Sequence, residues 1–307
     1  MKKVLIATDK PFAKDAVEAI KAVAVKAGYE IALLEKYTAK QELIDACAKA
    51  EAVIIRSDII DKEVIENSKN LKIVVRAGAG YDNVDLKSAT EHGVVVMNTP
   101  GQNSNAVAEL AFGMMLYMAR GCFDGGTGTE LRGKKLGIHA YGNVGKYVAE
   151  IAKGFKMDIY AFDPFIKDED IAKDGVKPVH SVEELYKTCQ YVSLHIPAND
   201  KTKKSIGHGV VSMMPKNGVL VNTARAEVID EDGLIKIMEE RPDIKYVSDI
   251  APAAIATFQE KFAKRFFFTP KKMGAQTSEA NNNAGIAAIN QIVGFFEKGD
   301  KTFQVNK

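Results

Sequence analysis

A chain of 307 residues has room for roughly two domains. Hydrophobic residues make up 46% and charged residues 27%, the balance of a globular protein with a sizeable core, which excludes a disordered chain. A formal net charge of +2, with Lys and Glu interspersed, gives no basis for a nucleic-acid partner.

The N-terminal MKKVLIATDK is a short apolar run followed at once by polar residues, which reads as a first strand over residues 4–7 and is too short for a signal peptide. No later apolar run approaches a membrane span, so no membrane partner is expected. Residues 12–27 carry Phe12, Val17, Ile20 and Val23 at helical spacing. Strand 30–34, helix 38–49 and strands 52–55, 73–75 and 94–96 follow. A long helical stretch covers 104–120, and Gly125-Gly126-Thr127-Gly128 is a glycine-rich connector. The alternation then restarts, with strands at 135–140, 159–162, 191–195, 219–222 and 246–248 and a final helix at 279–298. Short Val/Ile runs joined by helices imply α/β units with parallel sheets covered on both faces.

Cys47, Cys122 and Cys189 are scattered, odd in number and without a CxxC pair, which argues against a disulfide framework or a metal site. Each reads as a small buried apolar side chain in a reducing, cytoplasmic compartment.

Residues 136–145, LGIHAYGNVG, run from a strand through a glycine turn into a helix starting near Asn143. The pattern is AxGxxG, with Ala140 where a first glycine usually makes the tight turn. Gly142 would let backbone approach a pyrophosphate, Gly145 would permit close helix–strand packing, and the helix N-terminus would face the negative charge. Asp163 ends the next strand eighteen residues after Gly145. An acid there would bind ribose hydroxyls and repel a 2′-phosphate, which favours NAD over NADP. The alternative is that Asp163-Pro164 starts a turn.

Four segments in order, RAGAGYDNVDLKSATEHGVVVMNTPGQNSNAVAEL (76–110), the fingerprint with Asp163, VNTARAEVIDEDGL (221–234) and FTPKKMGAQTSEA (268–280), resemble the D-2-hydroxyacid dehydrogenase family. The resemblance implies two Rossmann-like domains with parallel sheets and an active site in the interdomain cleft. Residues 1–99 plus 281–307 would bind substrate and 100–280 would bind NAD. It further implies a homodimer, although the connector CFDGGTGTELRGKK is shorter than usual for the family.

The same resemblance assigns roles. Arg225 would grip the substrate carboxylate and polarise its carbonyl. Gly78, Ala79 and Gly80 would offer backbone N–H groups to that carboxylate, with Ala79 also near the cofactor. Arg56, Ser57, Arg76 and Asn103 resemble groups that hold the substrate and a phosphate on it, which points to 3-phosphoglycerate and the route to L-serine. On the cofactor side the resemblance places Gly142, Asn143, Val144, Gly145, Asp163, His195, Pro197, Thr223, Ala224, Arg225, Asp249, Lys272 and Gly274, with Asp249 against the nicotinamide carboxamide.

The sequence departs from the family at its acid–base pair. Lys272 occupies the position of the catalytic histidine, with neighbouring Lys271 as a rival, and Ala254 stands where a supporting glutamate is expected. Glutamate keeps an imidazole protonated, whereas a lysine, at about 10.4 in its unperturbed state, needs no such help. The expectation is therefore a lysine acid–base, similar to a lysine-type subgroup of the family. Two other functions stay open: a reductase of hydroxypyruvate, glyoxylate or another D-2-hydroxyacid, and an inactive NAD-sensing interaction protein.

Overall fold

The computed structural model describes all 307 residues, Met1–Lys307. The chain forms two compact units, one from Met1–Asn103 with Gln276–Lys307 and the other from Ser104–Ala275.

The first unit is built on five parallel strands, β1 (Lys3–Thr8), β2 (Glu30–Glu35), β3 (Ala52–Ile55), β4 (Ile73–Arg76) and β5 (Val95–Asn98), in the order β2-β1-β3-β4-β5. Successive side chains of a strand point to opposite faces, so each interior strand feeds two cores. Val4, Ile6, Ile54, Ile73 and Val75 pack with Ile20, Ala288, Ile289 and Ile292 on one face. Leu5, Ala7, Val53, Ile55 and Val74 pack with Leu43, Ile44, Val64 and Ile65 on the other. Each such side chain contributes about 1.5–3 kcal/mol when buried, which is why every interior strand reads as an unbroken aliphatic run.

The helix Ser278–Lys298 belongs to the first core. Thr277 caps it by accepting the Ala280 amide at 3.1 Å, and Gly299 closes it in the left-handed conformation. Gly285 lets it approach the helix Lys14–Lys26, since a Cβ there would lie 2.8 Å from Ile20 Cδ1. Beyond it, residues 304–306 run along β5. Val305 N–H donates to Val96 O at 2.9 Å, and buried Asn306 accepts from Val96 N at 2.8 Å and donates to Val94 O at 2.8 Å. An edge strand is thereby paired instead of left open.

The second unit holds seven parallel strands, β6 (Lys135–His139), β7 (Asp158–Phe162), β8 (Lys177–Pro178), β9 (Tyr191–Leu194), β10 (Val219–Asn222), β11 (Lys245–Ser248) and β12 (Phe266–Phe268), ordered β12-β11-β10-β9-β6-β7-β8. Chain order reverses between β6 and β9, which makes the C-terminal ends of these two strands the topological switch point, the place where open α/β sheets bind ligands. Strands β8 and β12 are absent from the sequence reading. The first has only two residues, and the second is a phenylalanine run without β-branched residues.

Cys47 and Cys189 are buried, and burial pushes both thiols up to about 12. Cys122 departs from the expectation of burial. It is half-exposed, at φ 59°, in the turn Gly121–Phe123. No helix is long and apolar enough to cross a membrane.

Candidate active site

The glycine turn after β6 carries the dinucleotide fingerprint. Ala140 takes the left-handed conformation at φ 79°, the geometry the missing first glycine would supply without strain. Gly142 is the N-cap of the helix Asn143–Gly154 and has no side chain with which to cap it. The first-turn amides of Asn143, Val144 and Gly145 therefore form an orphan-donor end suited to an anion. A Cβ on Gly142 would meet nothing within 4 Å, so space opens outward there. Gly145 is the opposite case, buried and closed against Ile138 and Ala140. Asp163 at the end of β7 accepts from Tyr141 N and Phe165 N, both at 2.8 Å. Each carboxylate oxygen takes one backbone donor and keeps a second lone pair for a hydroxyl. These residues fit a dinucleotide.

His195 follows β9 directly across the switch point, and its amide donates to His139 O at 2.9 Å. Burial lowers the His195 pKa to about 3 and that of His139 to about 4, so both rings are neutral at pH 7. His139 Nδ1, His195 Nε2 and the Tyr186 hydroxyl oxygen are buried without a partner. The sequence reading did not single out His139. Pro197 is exposed, and Thr223 is buried at the end of β10.

The cationic centre is assembled from the loops after β10 and β12. Arg225 Nη1 and Lys272 Nζ both donate to the carbonyl of Ala224, each at 3.1 Å. One oxygen with two lone pairs thus holds two cations side by side. Asn222, buried at the end of β10, fixes that loop, its Oδ1 accepting from Ala224 N at 2.9 Å and its Nδ2 donating to Arg225 O at 3.0 Å. The lysine loop is tied to β11 by buried Asp249, which accepts from Met273 N and Gly274 N at 2.8 Å and from Thr269 Oγ1 at 3.1 Å. Gly274 must lack a side chain, since a Cβ would lie 2.8 Å from Asp249 Oδ2. Lys271 contributes its backbone carbonyl, which accepts from Thr269 Oγ1 at 2.9 Å.

Ala254 precedes the helix Ile255–Lys261, and its amide and that of Ala253 donate to the Glu231 carboxylate at 2.9 and 3.0 Å. A carboxylate therefore holds the backbone of this segment from outside it. Only the ED pair opening the helix Glu231–Glu240 hints at Glu231 in the sequence.

In the first unit, Arg76 at the end of β4 donates from Nε to Arg56 O at 3.0 Å. Its guanidinium lies against the glycine loop, where a Cβ on Gly78 would fall 1.5 Å from Nη1. Asn98 fixes the same loop by donating to Ala79 O at 2.7 Å. Ala79 is exposed, and Gly80 and Asn103 are half-buried. Arg56 stands over the Phe12 ring at 5.2 Å and donates from Nη1 to Lys10 O and Pro11 O at 3.2 and 3.3 Å. Ser57 lines a cavity of about 370 Å³ together with Asp9, Tyr37 and Asp58. That lining is acidic, and Asp58 holds the Tyr37 hydroxyl at 2.6 Å.

Residues 110–270 match the family described as D-isomer specific 2-hydroxyacid dehydrogenase, NAD binding domain. A crystal structure of NAD+-bound 3-phosphoglycerate dehydrogenase from Entamoeba histolytica superposes with a TM-score of 0.90 at 48% identity, covering 100% of this chain and 99% of that one. D-3-phosphoglycerate dehydrogenase of Methanocaldococcus jannaschii is 36% identical over 275 residues, 82% of this chain and 51% of that protein. The hydroxypyruvate reductase of Thermotoga maritima is 32% identical over 283 residues, 86% of this chain and 90% of that protein. The chain thus spans about half the length of the curated phosphoglycerate dehydrogenase and most of the reductase.

Proposed function

Because the chain belongs to the D-isomer specific 2-hydroxyacid dehydrogenases, a family of NAD-dependent oxidoreductases, we propose that it interconverts 3-phosphoglycerate and 3-phosphohydroxypyruvate. The observation that carries this reading is the junction of Arg225 and Lys272 at the Ala224 carbonyl. Arg225 presents a planar fork to a carboxylate and to the adjacent carbonyl oxygen. Lys272 places its side-chain nitrogen beside it, which as ammonium donates a proton to that oxygen in reduction and as neutral amine accepts one in oxidation. The bound nicotinamide supplies the hydride chemistry, while the protein supplies orientation and charge. A lysine in this position makes the missing glutamate at Ala254 consistent, since an ammonium is charged at neutral pH without a carboxylate partner.

The likeness to the Entamoeba histolytica enzyme over its whole length supports the phosphorylated substrate. In the first unit, the Arg76 guanidinium beside the Gly78 loop is the group we assign to anion recognition. A second reading, hydroxypyruvate reduction, is favoured by two observations. Arg56 already spends Nη1 on the carbonyls of Lys10 and Pro11, and Ser57 borders an acidic cavity unsuited to a phosphate. The proposal includes a cytosolic homodimer, which sedimentation of the purified protein checks.

The deciding experiment is NADH oxidation with 3-phosphohydroxypyruvate, hydroxypyruvate and glyoxylate side by side. A strong preference for the phosphorylated acid supports the proposal. Equal turnover of the unphosphorylated acids selects the reductase, and NADH binding without turnover selects a sensing protein.

A further inference from the structure

The loop Gly78–Gly80 is held from behind by the end of β5. Thr99 N donates to Gly78 O at 2.9 Å, and Asn98 Nδ2 donates to Ala79 O at 2.7 Å. Both anchors are buried, at 1% exposure for Thr99 and 8% for Asn98. No peptide bond is cis, and in a planar trans peptide the C=O and N–H point in opposite directions. With the Gly78 and Ala79 carbonyls turned toward β5, the amides that follow them, those of Ala79 and Gly80, face away from it. Neither amide donates to another atom of the chain, so the two form a nest for an anion.

Gln291, on the helix Ser278–Lys298, stands one step further back. Its Nε2 donates to Asn98 O at 3.0 Å. Asn98 O and Thr99 N belong to one peptide group. The order of donation therefore runs from Gln291 to Asn98 O, from Thr99 N to Gly78 O, and outward through the Ala79 amide. Each donation polarises the group that makes the next, by roughly 10–30% per bond. Packing does not account for a glutamine at this position. Its neighbours Ala288, Ile289 and Ile292 are wholly buried, and Gln291 Oε1 is buried without a partner. An orphan acceptor of that kind destabilises a fold.

We propose that Gln291 is a positioning residue for substrate binding, which fixes and polarises the Ala79 amide through the Asn98–Thr99 peptide group. The inference rests on the dehydrogenase reading above, in which that amide receives the carboxylate of the keto acid. The carboxylate is held alike before and during hydride transfer. The contribution of Gln291 therefore belongs to KM and not to kcat.

The test compares wild type, Gln291→Met and Ile292→Val for KM and kcat with the preferred keto acid, NADH Kd and denaturant midpoint. Methionine keeps the length of the side chain and removes both of its polar atoms. Gln291→Met should raise KM by about three- to ten-fold, the worth of one hydrogen bond. Its kcat and NADH Kd should stay within about two-fold of wild type, and its midpoint should be no lower, because the orphan acceptor is gone. Ile292→Val opens a small cavity on the same helix and leaves the series of donations intact, so it should lower the midpoint at wild-type KM. Gln291→Leu takes the place of the methionine variant if that variant does not fold. An unaltered KM in Gln291→Met would overturn the proposal. So would an equal rise of KM in Ile292→Val, or a fall in kcat at unchanged KM. A wild type that binds NADH but reduces no keto acid would instead defeat the dehydrogenase reading, and this inference with it.

Discussion

Gly145 lies so close beneath Ala140 that a Cβ on it would fall 2.5 Å from the Ala140 carbonyl oxygen. The two residues are complementary halves of one turn. Ala140 bears a side chain in a conformation that suits glycine, and Gly145 lacks one where none fits. Gly145→Ala should therefore destabilise the protein by about 1–3 kcal/mol through overpacking and weaken NADH binding. Denaturant midpoints and fluorescence titration measure the two effects.

The converse substitution, Ala140→Gly, should stabilise. It relieves a left-handed alanine at φ 79°, a conformation that costs a non-glycine residue about 1 kcal/mol. An unchanged or lower denaturant midpoint would show that the turn is held without strain.

The neutral histidines give a pH dependence with a definite sign. Burial holds the His139 pKa at about 4, below the ordinary value of 6.5. Below pH 6.5 the unfolded chain takes up a proton that the folded ring refuses until about pH 4. The stabilisation is therefore full above pH 6.5 and is lost as pH falls toward 4. His139→Leu should be more stable than wild type at pH 5, by about 1 kcal/mol or more, with a smaller difference at pH 7.5. Melting curves at the two pH values test this.

Replacing Lys272 with Met removes the proposed proton donor while leaving the fingerprint turn intact. Turnover should fall by about 10²–10⁴-fold, with NADH still bound. Retention of wild-type turnover would transfer the acid–base role to another group, with Lys271 the first to test.

Asp163→Asn should weaken NADH binding by about ten-fold and narrow the discrimination against NADPH. The carboxylate that would face the ribose also holds Tyr141 N and Phe165 N. Equal loss of affinity for the two cofactors would assign Asp163 to the turn alone.

The sheet interiors were legible in the sequence because a strand buried on both faces has to be aliphatic throughout, as residues 52–55 and 73–75 are. Strand β12 was not, because Phe266, Phe267 and Phe268 are only half-buried and pair with a neighbour twenty residues away. The positions of Gly142, Gly145 and Asp163 were readable because strand, turn and helix are contiguous. The anchoring of Lys272 was not. It runs through Ala224 and Asp249, 48 and 23 residues distant, and depends on which strand ends stand next to each other. The apposition of His139 and His195 was hidden for the same reason, since only the crossover between β6 and β9 makes them neighbours.

The pairing of residues 304–306 with β5 has a consequence for biosynthesis. Strand β5 leaves the ribosome about two hundred residues before Asn306, the residue that accepts from its Val96 amide at 2.8 Å. The helix Ser278–Lys298, which completes one core face of the first unit, is likewise translated only after all of Ser104–Ala275. At roughly 5–20 residues per second, a nascent first unit waits tens of seconds with an open sheet edge and an uncovered apolar face. The second unit, contiguous in the chain, can fold in that interval. Expression yield should therefore depend on chaperone supply more steeply than the stability of the finished protein would indicate.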